Sequence, residues 1–304
     1  MIAIYGANGF IGQHIVEHFL AQGHNVRAVA RKFDPHIAEA WRGRVDMIEG
    51  NFNNAMQMLS SLNNVETVIQ LISSSSPGLG NKLLVEDIEE NVIPHVSFMR
   101  NAILSGVKKY IFVSSGGTVY GPGAPVPTPE TAHTNPINSH GMTKLMIEKY
   151  LQMFGRVDGL NYIILRVSNP FGPGQIFKKG QGLIPAILQR HREGKPIQIF
   201  GDGSNERDYI YVSDLVEAIE KSAISDAVTR EVLNIGKGEG RSILDVVSAI
   251  ESALGVTLDR EFHLGRNTDV DRSILDNSKA KELLSWSPDV TFDSGIRMMC
   301  NALA

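Results

Sequence analysis

A glycine-rich turn at the start of the chain constrains its fold more than any other feature. The apolar run Ile2-Ala3-Ile4-Tyr5 reads as a strand, Gly6-Ala7-Asn8-Gly9-Phe10-Ile11-Gly12 follows at once, and Ile11 to Ala21 carries a helical pattern. Glycine permits the tight turn and lets the backbone approach a pyrophosphate, whose charge is favoured by the free N–H groups of a helix N-terminus. The spacing is G-x-x-G-x-x-G, which differs from the commoner G-x-G-x-x-G. The flanking strand and helix distinguish it from a glycine turn in some other α/β protein.

Short β-rich runs alternate with longer amphipathic stretches through the first half. Ile2 to Tyr5, Val26 to Ala30, Val45 to Ile48, Val65 to Ile72, Tyr110 to Val113 and Tyr162 to Leu165 read as strands, with helical patterns at Val92 to Leu104 and His140 to Met153. Such alternation predicts an α/β protein with a Rossmann-type, doubly wound parallel sheet covered on both faces. Beyond about Arg166 the pattern loosens into Pro/Gly-rich loops around 169–182 and 201–203, with isolated helical runs such as Leu183 to His191. The expected division is a dinucleotide-binding domain over 1–166 and a smaller, loop-rich substrate-binding lobe over 167–304, with 212–235 a candidate to return to the first domain.

With 304 residues, 42% of them hydrophobic, the chain is long enough for a large core. A formal charge of -4 without a long basic run argues against nucleic-acid or anionic-membrane partners, leaving small molecules or protein subunits. Cys300 is the only cysteine, so neither an intramolecular disulfide nor a cysteine metal site is expected. Without clustered His/Cys/carboxylate spacing, no metal is expected. No signal-peptide pattern and no transmembrane stretch stand out, which makes the cytoplasm the expected location.

The segment Ser139-His140-Gly141-Met142-Thr143-Lys144 places an imidazole and a lysine four residues apart, on one face of a helix. Further motifs follow in order: Val107 to Ser115 with Thr118-Val119-Tyr120-Gly121; Arg166-Val167-Ser168-Asn169-Pro170-Phe171-Gly172-Pro173; Phe200-Gly201-Asp202-Gly203; Arg207-Asp208-Tyr209 with Val212-Ser213-Asp214; Asn234-Ile235-Gly236; and Ser278 to Trp286. In these motifs, and in its glycine spacing, the chain resembles the extended short-chain dehydrogenase/reductases. The resemblance is to their NAD-dependent epimerase/dehydratase branch, similar to the UDP-glucose 4-epimerases.

That resemblance implies a bound NAD contacted by Gly6, Asn8, Gly9, Phe10, Ile11, Gly12, Leu71 and Lys144, with Asn51 and Phe52 as candidates to line an adenine pocket. Arg31 and Lys32 at the end of the second strand lean instead toward the 2′-phosphate of NADP, since Asp34 precedes Pro35 past the strand end. For the substrate, a nucleotide sugar with UDP the expected carrier, it implies Arg207 and Arg266 on the diphosphate or ribose, Asn169 donating to a phosphate and Asp269 accepting from the ribose. Ser73 to Ser76 and the Gln175 to Gln181 loop would face the sugar. Leu145, Met146, Tyr150, Leu151 and Met153 are more apolar cover than one core face of the His140 helix requires; the resemblance implies a homodimer paired through such helices, with a plain core helix as the alternative.

In the family a tyrosine stands four residues before the lysine and takes the proton from the sugar's C4 hydroxyl, helped by a serine or threonine. Here His140 holds the tyrosine position beside Lys144, and Gly116 holds the serine/threonine position, with Ser115 and Thr118 as neighbouring hydroxyls. Imidazole titrates near neutrality. Accepting a proton makes it a cation beside Lys144, which at ~5 Å and an effective dielectric of about 20 costs roughly 3 kcal/mol. Three readings stay open: a working but altered acid/base pair, a nucleotide-sugar-binding protein that has lost catalysis, and a substitution that traps a substrate complex. The leading expectation is a nucleotide-sugar 4-epimerase, with an NADP-dependent 4-keto-sugar reductase as runner-up. Dehydratase chemistry is disfavoured because Gly117-Thr118 stand where the related dehydratases carry an acidic pair.

Overall fold

A computed structural model describes residues 1–75, 81–177, 182–265 and 270–302. Its centre is β1 (Ile2–Tyr5), where Ala3, Ile4 and Tyr5 are fully buried, as a near-continuous apolar run in a two-faced sheet requires. From there the chain winds outward through α1 (Phe10–Ala21), β2 (Val26–Ala30), α2 (Pro35–Trp41) and β3 (Asp46–Glu49). It then passes α3 (Ala55–Ser60) and crosses to the other side of β1 as β4 (Thr67–Gln70). A four-residue α4 (Leu84–Asp87), a π-turn over Ile88–Val92 and α5 (Ile93–Leu104) lead to β5 (Lys109–Ser115). After the short α6 (Gly116–Val119) comes α7 (Ser139–Val157), then β6 (Asn161–Val167).

All strands of the seven-stranded sheet run parallel, in the order β10-β6-β5-β4-β1-β2-β3, where β10 is Glu231–Ile235. Strand order reverses between β1 and β4, so a crevice opens at their C-terminal ends, where open sheets of this kind take ligands. The two faces alternate as strand geometry demands: Ile4, Ala28, Ile111 and Ile163 pack with Phe19 and Leu215 on one side, Tyr5, Val29, Tyr110 and Phe112 with Phe98 and Leu151 on the other.

The remainder differs from the loop-rich lobe the sequence suggests. It builds β7 (Asn169–Phe171), α8 (Leu183–Arg192), β8 (Ile197–Phe200), β9 (Glu206–Tyr211) and α9 (Val212–Ile224) before β10, then β11 (Gly240–Ser242), α10 (Ile243–Leu254), β12 (Arg260–His263), β13 (Arg272–Ser273), α11 (Ser278–Leu284) and α12 (Phe292–Asn301). These strands form two small sheets, one around β9 and one pairing β8 with β12. Strands β7 and β11, of three residues, and β13, of two, show no readable period, so the sequence presents them as loops. Strand β10 pairs with β6, and α9 packs on α1 and β5, so this stretch of chain lies with the large sheet.

Candidate active site

The first turn after β1 is built so that backbone crowds backbone. Gly6 adopts φ +88°, and its carbonyl accepts the Gly9 N–H at 3.0 Å. Inside α1, a Cβ on Gly12 would stand 2.3 Å from the Gly6 carbonyl oxygen and 2.7 Å from Ala7 Cα, so only glycine lets the helix sit this close to the strand. Gly9 at the N-cap brings no capping side chain, and no carboxylate occupies the first turn. The helix end is thus left with uncapped donors and its positive dipole end, which suits the pyrophosphate of a dinucleotide. Leu71 arrives beside this turn from the end of β4: its Cβ lies 3.3 Å from the place a Gly6 side chain would take.

Helix α7 supplies the titratable groups. Asn138 caps it by accepting the Gly141 N–H at 2.8 Å, and the spacing of four puts His140, Lys144 and Glu148 in one buried column. Gly141 lets the helix dock, since a Cβ there would meet the Thr118 carbonyl at 2.6 Å. Lys144 Nζ donates to the Val113 carbonyl at 2.9 Å and lies 4.9 Å from the centre of the Phe112 ring. Burial pulls its pKa down to about 8 against the support of Glu148. Glu148 itself is fully buried, accepting from Ser114 and from the Arg166 guanidinium, 2.7 Å away at its closest. Arg166 also donates to the Tyr120 hydroxyl, which donates in turn to Asn234.

His140 is 7% exposed. Burial first, and the charge of Lys144 second, push its pKa down to about 3, so the ring is neutral throughout the physiological range. Desolvation, which the spacing of His140 and Lys144 in sequence does not reveal, is the larger cause. The ring's Nδ1 lies 2.9 Å from the Oγ of Ser75, itself buried in the loop after β4.

The other expected residues fall into distinct places. Ser115, half-buried, ends β5 without capping α6, while Thr118 keeps a buried Oγ1 with no hydrogen-bond partner. A side chain on Gly116 would lie 2.5 Å from Leu275 Cδ1, so leucine fills the space of the missing hydroxyl. Ser73 is exposed, 3.3 Å from Ser75. Arg31 and Lys32 are exposed beyond β2, and Asp34 caps α2 while its N–H donates to Asn8 Oδ1 at 3.1 Å.

Asn51 is exposed, whereas Phe52 is 5% exposed and packs into the core against His95 and Phe98, so its ring does not line an open pocket. Asn169 donates to the Asp208 carbonyl at 2.8 Å, and Arg207 to the Glu206 carbonyl at 2.9 Å, both on the sheet around β9. Arg266, Asp269, Ser76 and the 178–181 part of the Gln175 loop lie outside the described residues.

Asn91, the Glu148–Arg166 pair and the contact with His140 of Ser75, one of the Ser73 to Ser76 run expected to face the sugar, escaped the sequence reading. Glu148 was within reach of it, as the third member of a series spaced by four. A separate shallow cleft, lined by Glu66, Thr67, Lys109 and Asn161, opens at the N-terminal ends of β4, β5 and β6, away from the glycine turn and His140. Geometry favours the crevice at the C-terminal ends as the site.

The model of the NAD dependent epimerase/dehydratase family matches residues 2–236. The chain belongs to that family. It is 32% identical over 308 residues to an Escherichia coli dTDP-4-dehydro-6-deoxyglucose reductase, with 99% of this chain and 97% of that enzyme covered. It is 31% identical over 302 residues to a UDP-glucose 4-epimerase of Mycolicibacterium smegmatis, with 96% and 95% covered. Among solved structures, the UDP-glucose 4-epimerase of Thermotoga maritima with UDP-glucose superposes with a TM-score of 0.93 at 32% identity, covering 99% of this chain and 98% of that one. The Thermus thermophilus UDP-glucose 4-epimerase complex with NAD gives 0.91 at 27% identity, with the same coverage.

Proposed function

We propose that this protein is a nucleotide-sugar 4-epimerase acting on a UDP-sugar with NAD as resident cofactor. The observation that carries the reading is the meeting of an uncapped glycine cradle and a buried His140–Lys144 pair at the C-terminal ends of β1, β4 and β5. Near-full-length similarity to UDP-glucose 4-epimerases, one with UDP-glucose and one with NAD, supports it. Gly6, Asn8, Gly9, Phe10, Ile11, Gly12 and Leu71 would hold the dinucleotide. Bound NAD supplies reversible hydride acceptance.

The chain's own residues handle the proton and the charge. His140 is neutral and can accept a hydroxyl proton at Nε2. Lys144, cationic below about pH 8, places positive charge beside the oxygen that loses it. Arg207, Asn169 and the undescribed Arg266 and Asp269 are the candidates to grip the nucleoside diphosphate, Arg207 by the planar fork suited to phosphate oxygens.

A second reading, an NADP-dependent 4-keto-sugar reductase, is favoured by the exposed Arg31 and Lys32 beyond β2 and by the similarity to the reductase of Escherichia coli. Mixing the protein with UDP-glucose and NAD, or with a dTDP-4-keto-6-deoxy sugar and NADPH, separates the two. An epimerase returns UDP-galactose with the cofactor unchanged in amount; a reductase consumes one NADPH per sugar. The proposal extends to a cytoplasmic homodimer. Met142, Met153 and Val157 of α7 and Ile93 and Leu104 of α5 expose 48%, 39%, 75%, 58% and 76% of their surfaces, an apolar area a second copy would cover. Among the described residues no helix is long and apolar enough to cross a membrane.

A further inference from the structure

The histidine faces a difficulty that a tyrosine does not: taking a proton creates a cation in a buried site beside Lys144, where burial and the lysine both oppose it. The loop after β4 holds what the ring would need to avoid that. Ser75 Oγ lies 2.9 Å from His140 Nδ1, and Ser73 Oγ lies 3.3 Å both from Ser75 Oγ and from the Ser75 carbonyl. Burial falls along this line, from a buried ring and a buried Ser75 to an exposed Ser73. The loop is held in place. Asn91, 2% exposed at the π-turn before α5, accepts the Ser74 N–H at 2.9 Å and donates to Ser74 Oγ at 2.9 Å and to the Asp87 carbonyl at 3.0 Å. Such π-turns are over-represented at functional sites.

Counting hydrogens gives the direction. Each hydroxyl has one proton to donate. Ser73 donates to the Ser75 carbonyl, which leaves its oxygen to accept from Ser75. A Ser75 hydroxyl that donates to Ser73 is left to accept from His140, the arrangement in which Nδ1 carries the hydrogen. Nε2 is then left with its lone pair free.

We propose that Ser75 is a positioning residue that fixes His140 as the Nδ1–H tautomer and, with Ser73, forms a relay that keeps the ring neutral during proton transfer. The proposal rests on the 4-epimerase reading of the site. As the sugar's hydroxyl O–H bond breaks, an Nε2–H bond forms and the Nδ1–H bond breaks toward Ser75 Oγ. The proton Ser75 held passes to Ser73 Oγ, and the proton Ser73 held passes to solvent once its O–H turns away from the Ser75 carbonyl. One proton enters the chain and one leaves it; the two-electron acceptor for the sugar's C–H bond would be the NAD of the proposed activity. The reverse sequence returns the proton when the keto group is reduced.

The test needs no substrate for its first half. Protein labelled with 15N-histidine is examined by long-range 1H–15N correlation at pH 7 and pH 5, with the His140 signals assigned from their loss in His140→Phe. The expected spectrum has His140 neutral and protonated at Nδ1 at both pH values. Ser75→Ala is expected to lose that tautomer and Ser75→Thr, which keeps the hydroxyl, to retain it. An Nε2–H or cationic ring in the wild type, or an unchanged tautomer in Ser75→Ala, overturns the assignment.

With turnover, Ser75→Ala is expected to lower kcat about tenfold or more while KM moves little, and to reduce the solvent isotope effect as protons leave the relay. Unchanged kcat and isotope effect overturn the relay. Lack of turnover by the wild type with every nucleotide sugar would sink the functional reading, whereas the tautomer is read from the resting protein and stands or falls alone.

Discussion

His140 is where the chemistry of one residue shows in the stability of the whole protein. Its folded pKa is depressed to about 3 from the ordinary 6.5, mainly by burial and then by Lys144. The folded state therefore resists protonation that the unfolded state accepts. Stability linked to this ring is complete above pH 6.5 and is lost as pH falls from there toward 3. Replacing it with glutamine removes the linkage, so His140→Gln is expected to lose about 2 kcal/mol less than the wild type between pH 7.5 and pH 5, read by urea unfolding. His95, fully buried and also depressed to about 3, contributes acid sensitivity that both proteins retain. Gly116 is the other residue with a local rule. A hydroxymethyl there runs into Leu275, which is 1% exposed, so Gly116→Ser is expected to cost about 1–3 kcal/mol alone. Shortening Leu275 to alanine in the same chain should recover part of that cost, a coupling that chemical-denaturation midpoints of the four variants would show.

At the scale of elements, α7 carries the proposed acid/base His140, its charge neighbour Lys144 and the support of Glu148 on one face. Glu148→Gln leaves Arg166 buried without its counter-charge and is expected to destabilise the fold by about 3 kcal/mol or more. It also removes the charge that supports protonated Lys144, so the lysine should titrate below about 8. In α1, Gly12→Ala drives a Cβ into backbone rather than into a yielding side chain, and should weaken NAD binding at least about tenfold by calorimetry. These two helices and the strands beneath them were legible because their periods are long and their glycines sit at a strand end. The spacing of His140 and Lys144 was enough to place both on one helix face, which the structure buries. Ser75 was not legible in the same way, since its contact with His140 joins residues 65 apart in the chain. The sheet around β9 was missed for a related reason: β11, of three residues, and β13, of two, are defined by their partners and have no period of their own.

For the whole molecule, function follows from where the strand order reverses. The turn after β1 and the loop after β4 flank that point, and α7 brings His140 onto the second of them. A protein in solution at twice the chain mass, by light scattering, is expected from the exposed apolar residues of α5 and α7; Val157→Lys, at the 75% exposed end of α7, should shift it toward monomer without unfolding it. The central claim is that a histidine in this column supports reversible oxidation of a nucleotide sugar. The most direct measurement follows the approach of UDP-glucose to equilibrium with UDP-galactose by NMR, using wild-type protein and NAD at well below the sugar concentration. Many turnovers per NAD, abolished in His140→Ala with UDP-glucose still bound, is the expected result. Bound sugar that the wild type never epimerises, or conversion only in step with consumption of NADPH, would contradict it.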